Sequence, residues 1–333
     1  MYSDSIEEDK IALEIRVSVA EISGAGNNVT EFLLVGFPDA QGLQSLCAAL
    51  FFLVYLAALT GNLLIITLTT MDQRLRSPMY FFLKNLSLID ICYMSVTVPK
   101  SLLNSLAGSH SITFVGCAAQ VFLLICFAGT EFALLLVMSY DRHAAICRPL
   151  HYETVMSRGT CVRMVTASWV SGCGYGSLHA AGTFSARFCG PNIVHQFFCD
   201  IPSLLTLACS GEQILEHVFL IFSCCFVFLC FILLVVSYVY IFSTVLRIPS
   251  AQGRFKTFST CMPHLTVVTL FLSSGFIAYL GSTSKASTSL NLFLSVLYSL
   301  LPPSLNPVIY SFRNKDMKVA LSKILGEKMT PKL

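Results

Sequence analysis

A chain of 333 residues in which 55% are hydrophobic, 12% are charged and the formal net charge is +3 departs sharply from soluble globular domains, where about 25% of residues are charged. Its mean hydropathy of +0.73 excludes an ordinary water-soluble fold and makes lipid the main solvent. The membrane is therefore the first partner to expect, and nucleic acid is not expected as one.

Residues 1–42 read as a tail. Its first forty positions hold eight of the 18 acidic side chains and only two basic ones. The stretch "IALEIRVSVAEI" is too short and too charged for a signal peptide, with Glu14, Arg16 and Glu21 inside it. The first membrane helix is thus expected to act as an uncleaved insertion signal. Asn28, in "NVT", is a glycosylation sequon if the tail is translocated.

A bilayer core of about 30 Å takes roughly 20 helical residues to cross. Seven apolar runs of that order follow the tail, near 43–70, 79–103, 114–140, 161–183, 215–246, 258–281 and 291–312. The expected fold is an all-α membrane protein, with one seven-helix transmembrane domain over 43–312 and a tail at 313–333. Proline and glycine inside the runs do not argue against helices, because neighbouring helices re-satisfy the freed backbone groups.

Orientation follows from lysine and arginine. With the N-terminus outside, only Lys10, Arg16, Lys100, Arg187 and Lys285 of the 21 basic residues lie on the outer side. The rest, including Arg74, Arg76, Arg148, Arg158, Arg247, Arg254, Lys256 and Arg313, lie in or beside cytosolic segments. Asn85, in "NLS", then falls at a cytosolic helix end that the glycosylation machinery does not reach.

Compartment also sorts the 14 cysteines. Most sit in the apolar runs, where a free cysteine behaves as a small hydrophobe. Cys117, Cys189, Cys199 and Cys209 fall on the oxidising outer side, and their order alone allows three pairings. A metal alternative exists because His195 precedes Cys199 by four residues, with Asp200 beside it. Oxidised sulfur is a poor ligand, so no metal is assigned there.

Asp90 and Glu131 stand deep within apolar runs. Each costs about 2.5 to 3.5 kcal/mol at the bilayer centre. Asp90 is twelve residues past Pro78 and Glu131 eleven before Arg142, so both lie roughly 16 to 18 Å above the cytosolic face. Asn62 and Asn306 fall in nearby layers. Two facing carboxylates would share a proton or hold a cation such as sodium.

The stretch "MSYDRHAAICRPL" sets Asp141 and Arg142 side by side at the end of the third run. Together with "TEFLLVGF", "GN" at 61 and 62, "LRSPMYFFLKNLSLID", "SYVYIFSTVL", "RFKTFSTCMPHL" and "PPSLNPVIYSFRN", it gives motifs in an order that resembles the odorant receptors, rhodopsin-like G protein-coupled receptors of the tetrapod type. The likeness covers roughly Thr30 to Lys318, and residues 1 to about 26 fall outside it.

The resemblance implies that Asp141 and Arg142 form a cytosolic switch in which the arginine is held at rest and released to meet the G protein. It implies that Tyr238, His264, Asn306, Pro307 and Tyr310 belong to the same machinery. It further implies disulfides Cys117 to Cys199 and Cys189 to Cys209, and a cation site at Asp90 and Glu131. His143 departs from the usual tyrosine after the switch arginine, and Leu272 from a usual tyrosine on helix six.

Helical periodicity from these positions marks a pocket in the outer half of the bundle. From Glu131 the inward face passes Ala128 and Leu124, flanked by Ile125. From Tyr238 it rises to Phe226, Ser223 and Phe222, from His264 to Leu272, Gly275, Phe276 and Tyr279, and from Asn306 to Ser299 and Ser295. This mainly apolar lining, without a carboxylate, suits a small, neutral, hydrophobic ligand, and the resemblance implies a volatile one.

After helix seven, Val319, Ile324 and Leu325 lie opposite several lysines, as in an amphipathic helix on the inner leaflet. The resemblance implies a plasma-membrane receptor that couples to a stimulatory, olfactory-type heterotrimeric G protein and raises cyclic AMP. It implies no enzyme, and the outer loops carry no Ser-His-Asp or metal-ligand set. Competing readings are a receptor of the same fold for an endogenous metabolite and a transporter, although the chain lacks the internal repeat a transporter would show.

Overall fold

The computed structural model describes residues 29–35, 41–107, 110–209, 211, 213–283, 288–313 and 315–324. Seven long helices form the body: α1 Gln41–Met71, α2 Pro78–Ala107, α3 Phe114–Cys147, α4 Arg158–Phe184, α5 Ile214–Leu246, α6 Ala251–Thr283 and α7 Thr288–Arg313. An eighth, α8 Lys315–Ile324, follows α7. Among the described residues, α1, α2, α3, α5 and α6 contain spans long and apolar enough to cross a membrane. Glycine- and serine-rich α4 and proline-bearing α7 complete the seven-helix bundle.

Local chemistry starts several of these helices. Thr113 caps α3, its side chain accepting from the Gly116 amide at 3.1 Å. Ser157 does the same for α4 through Thr160, each satisfying an amide that has no partner inside the helix. Pro78 opens α2, a position where its missing N–H costs nothing.

α4 compensates for its modest apolarity by close approach. A Cβ at Gly172 would stand 2.5 Å from the Cys126 carbonyl, and one at Gly176 would stand 2.7 Å from the Phe122 carbonyl. Glycines four apart thus let the α4 backbone lie against α3, the packing route available where lipid removes a hydrophobic drive.

A similar contact explains the "GN" pair of α1. A Cβ at Gly61 would come within 3.1 Å of Pro307 Cβ, so glycine permits α1 and α7 to touch there. Pro307 has no N–H to give the Pro303 carbonyl one turn earlier. Asn62 supplies the replacement, its Nδ2 donating to that carbonyl at 3.1 Å.

The core is layered. A large inner cluster includes Phe82, Leu86, Leu134, Leu135, Met138, Tyr238, Ile241, Val267 and Tyr310. A middle cluster gathers Phe51, Met94, Val98, Phe197 and Phe198. Outward-facing α5 residues such as Phe228, Leu229 and Val239 are more than half exposed, a surface suited to lipid and unsuited to water.

Part of the expected tail is built into the body. Residues Glu31–Leu34 form β1, which pairs antiparallel with β2 Ser111–Thr113 and parallel with β3 Ile193–Val194. Phe32, Leu33 and Leu34 are all buried. The strand escaped a reading based on seven helices because its hydrogen-bonding partners lie in two distant loops.

Two expected boundaries move. α3 runs to Cys147 rather than stopping near 140, and α6 begins at Ala251 rather than near 258. Both extensions carry polar residues past the lipid core, where apolarity no longer reports helix. α8 forms, and it docks through Met317 and Ala320, which are buried against the inner cluster. Val319 is partly buried, while the side chain of Ile324 and all of Leu325 lie outside the described residues.

Candidate functional site

At the cytosolic end, the extension of α3 places Asp141 and Arg142 in its last two turns. Asp141 is 1% exposed, and Arg142 closes an ion pair on it, with Nε donating to Oδ2 at 3.0 Å and Nη2 to the same oxygen. The Tyr152 hydroxyl donates to the other oxygen, Oδ1, at 2.7 Å. Burial and the adjacent Asp141 carboxylate push the Tyr152 hydroxyl well above the usual tyrosine range, so it remains a donor. Both carboxylate oxygens are thereby engaged, and a largely buried pair of this kind has a strength that helix motion can change.

About two turns further in, a bond chain joins three helices. His264 Nε2 lies 3.0 Å from the Leu135 carbonyl, which can only accept, so Nε2 carries the hydrogen. Nδ1 is then the acceptor for the Tyr238 hydroxyl at 2.6 Å. α5, α6 and α3 are tied by this one imidazole. Nearby, the Tyr310 hydroxyl is buried without a hydrogen-bond partner among the described residues. His143 is partly buried. Its ring meets Tyr240 edge-on at 6.3 Å, and its Nδ1 is buried and unpartnered.

The middle layer brings the carboxylates together. Asn306 Nδ2 donates to Asp90 Oδ1 at 3.2 Å, to Asp90 Oδ2 at 3.1 Å and to Glu131 Oε1 at 3.3 Å. All three side chains are buried. Asn62 serves the neighbouring α1–α7 contact, its Nδ2 donating to the Ala58 and Pro303 carbonyls. The Oδ1 atoms of Asn306 and Asn62 are buried without partners, leaving an oxygen-rich interior.

The outer half is closed by a loop lid. The disulfides Cys117–Cys199 and Cys189–Cys209 are formed, in the pairing the resemblance implied. Cys199 is therefore not a free thiolate beside His195, and no metal-binding group of three or more His, Cys, Asp or Glu occurs among the described residues. Gln120 of α3 secures the lid by accepting from the Cys199 amide at 2.9 Å and donating to the Val96 carbonyl of α2 at 2.9 Å. Asp200 caps a short helix, Ile201–Leu207, and accepts from the Tyr298 hydroxyl at 3.2 Å. Burial raises the Asp200 carboxyl above its ordinary range, while the bonds from Ser203 and Tyr298 pull it back.

Leu124 is buried, and Ile125 and Ala128 are partly buried on α3. Ser295 and Ser299 are buried on α7, with the Ser299 hydroxyl donating to the Ser295 carbonyl at 2.7 Å. Leu272 is partly buried, and a Cβ at Gly275 would meet nothing within 4 Å. The Tyr279 side chain and Asn28 lie outside the described residues.

The inward stripe of α5 needs correction. Its buried residues are Glu216, Ser223, Cys230, Leu234 and Tyr238. Phe222 and Phe226 sit on a flank and are 68% and 60% exposed. Phe276 of α6 is likewise 63% exposed. At about 100° per residue Phe222 and Phe226 stand roughly 160° and 120° around α5 from Tyr238, on the lipid side, whereas Ser223 stands within about 60° of it.

Sequence reasoning missed one polar group altogether. His179 of α4 joins Glu216 of α5, with Nδ1 and Oε1 at 2.5 Å, and its Nε2 lies 2.9 Å from Ser223 Oγ. Both ionisable residues are at most 3% exposed. The signal was present, since an ionisable residue in an apolar run singles out Glu216 as it did Asp90 and Glu131.

The sequence pattern described as "Olfactory receptor" matches residues 51–328. Human olfactory receptor 14A16 is 52% identical over 304 residues, covering 91% of this chain and 98% of the relative. Human olfactory receptors 14L1 and 14J1 are each 54% identical, covering 90% and 91% of this chain and 92% and 95% of their own lengths. The ordered motifs, the seven-helix bundle and these similarities agree, and the chain belongs to the olfactory receptor family of G protein-coupled receptors.

Proposed function

We propose that this receptor binds a small, neutral, mainly hydrophobic molecule in the outer half of its bundle and activates a stimulatory heterotrimeric G protein of the olfactory type, raising cyclic AMP. The observation that carries the reading is the division of labour along the bundle. Near the cytosolic end Tyr238, His264 and the Leu135 carbonyl tie three helices together and Arg142 is held by Asp141, while the residues assigned to the outer pocket include no carboxylate. A ligand that favours the open arrangement draws on a pre-existing equilibrium. Outward movement of α6 breaks the Tyr238–His264–Leu135 chain, and release of Arg142 from Asp141 opens the surface that meets the G protein.

In the same reading the Asp90–Glu131 layer holds a sodium ion or a shared proton. Two carboxylates and the unpartnered Asn306 oxygen are hard donors that suit a small cation. Its charge would let both carboxylates remain ionised. Asp90, Glu131 and Asn306 would hold it.

The test is cyclic AMP in cells displaying the chain with an N-terminal surface tag, screened against small volatiles beside Arg142→Ala. A ligand-dependent rise lost in Arg142→Ala supports the proposal. Silence across the screen with confirmed surface display counts against it.

A further inference from the structure

The buried group at the outer ends of α4 and α5 has a direction built into it. Glu216 Oε1 faces His179 Nδ1 at 2.5 Å, and His179 Nε2 faces Ser223 Oγ at 2.9 Å. Glu216 is 1% exposed and its Oε2 has no hydrogen-bond partner. Gly182 of α4 leaves room for that carboxyl, since a Cβ there would overlap Oε2. The Tyr175 ring closes the other side, edge-on to His179 at 4.6 Å.

Only two charge states leave this interior neutral. In the first, imidazolium faces carboxylate, both ring nitrogens carry hydrogen, and Nε2 donates to Ser223 Oγ. In the second, a protonated Glu216 donates to Nδ1. The neutral imidazole then carries its hydrogen on Nε2, which again donates to Ser223 Oγ. The opposite polarity requires either a carboxylate beside a neutral imidazole, which buries a net charge, or an acid whose proton sits on Oε2, a buried atom with no partner to accept it; both are disfavoured. Both neutral states therefore make Ser223 Oγ an acceptor from His179 and turn its own hydrogen outward.

We propose that Glu216, His179 and Ser223 form a relay that presents the Ser223 hydroxyl to the ligand as a hydrogen-bond donor, so that the receptor selects molecules bearing an acceptor oxygen: ketones, aldehydes and esters. The inference rests on the outer-pocket reading above and gives it a ligand class. Ser223 touches the ligand, whereas His179 and Glu216 are positioning residues acting through it.

Two measurements test the proposal. Histidine side-chain nitrogen NMR on the purified full chain, with His179 assigned by its loss in His179→Gln, reads the relay without any ligand. Hydrogen on Nε2 is expected in the wild type and in Glu216→Gln, whose amide can donate to Nδ1 in place of the acid. An unprotonated Nε2 overturns the relay.

In displayed receptor, a panel of small ketones, aldehydes and esters is compared with alkenes and amines of the same carbon skeletons. Carbonyl compounds should be preferred. Ser223→Ala and His179→Leu should each raise the half-maximal concentration for them about tenfold, the worth of one buried hydrogen bond, while Glu216→Gln keeps the preference. A response confined to alkenes or amines, or a carbonyl preference intact in Ser223→Ala, overturns the ligand class and leaves the receptor reading in place. Silence to the whole panel by displayed receptor defeats the receptor reading, and the ligand class falls with it.

Discussion

The two halves of the bundle use polar side chains differently. In the inner half they reach across helices: Tyr152 to Asp141 at the mouth, Tyr238 to His264 to Leu135 above it, and Asn306 to Asp90 and Glu131 in the middle. In the outer half of α6 and α7 serine hydroxyls turn back on their own helix, as Ser299 does on Ser295 and Ser274 on Phe271. Cross-helix bonds in a low-dielectric interior make discrete arrangements with a barrier between them. Self-bonded hydroxyls leave a wall that accepts varied apolar shapes. One half is built to hold a state and the other to tolerate ligands.

The largest change should come from the lid that joins the halves. Cys117→Ala opens a bridge between residues 82 apart, which should cost about 4 kcal/mol and appear as loss of surface display. Asn306→Ala removes the donor shared by two buried acids and should cost about 3 kcal/mol. A lower melting temperature of the solubilised receptor checks it, and Asn306→Asp would be worse because it adds a third acid.

Gly61→Val pushes a side chain at Pro307 and should cost about 2 kcal/mol, again read as melting temperature. A tolerated valine would mean that the α1–α7 contact is looser than described. Tyr152→Phe removes one bond to Asp141 while keeping the ring. It should destabilise the held state by about 1 kcal/mol and raise ligand-free cyclic AMP about fivefold. The smallest effect belongs to Phe222→Ala, whose side chain faces outward. A shift in ligand response as large as that of Ser223→Ala would return Phe222 to the inward stripe.

Much of the bundle could be inferred from the chain because lipid simplifies the code. An apolar run of sufficient length has few other fates, and lysine and arginine fix its orientation. Asp90, Glu131 and Asn306 could be placed in one layer by counting residues, since each helix advances about 1.5 Å per residue. Rotation was harder. One position around α5 separates buried Ser223 from exposed Phe222, and hydrophobicity does not distinguish them when lipid and core are both apolar. The pairing of His179 with Glu216 depends on the crossing of α4 and α5, which no pattern within either helix states. β1 was hidden for a related reason, since its partners are named by the fold and not by its neighbours.

That strand imposes an order on biosynthesis. Leu33 emerges from the ribosome long before Ile193, to which it is paired, and α1 through α4 are threaded into the bilayer in between. The outer sheet closes only after the loop following α4 has been translocated. Until then the buried face of Phe32 and Leu34 is exposed to the lumen, where it offers a site for chaperones and quality control. Contacts this distant in sequence form late and slowly, so the N-terminal strand ties export of the receptor to completion of its outer loops.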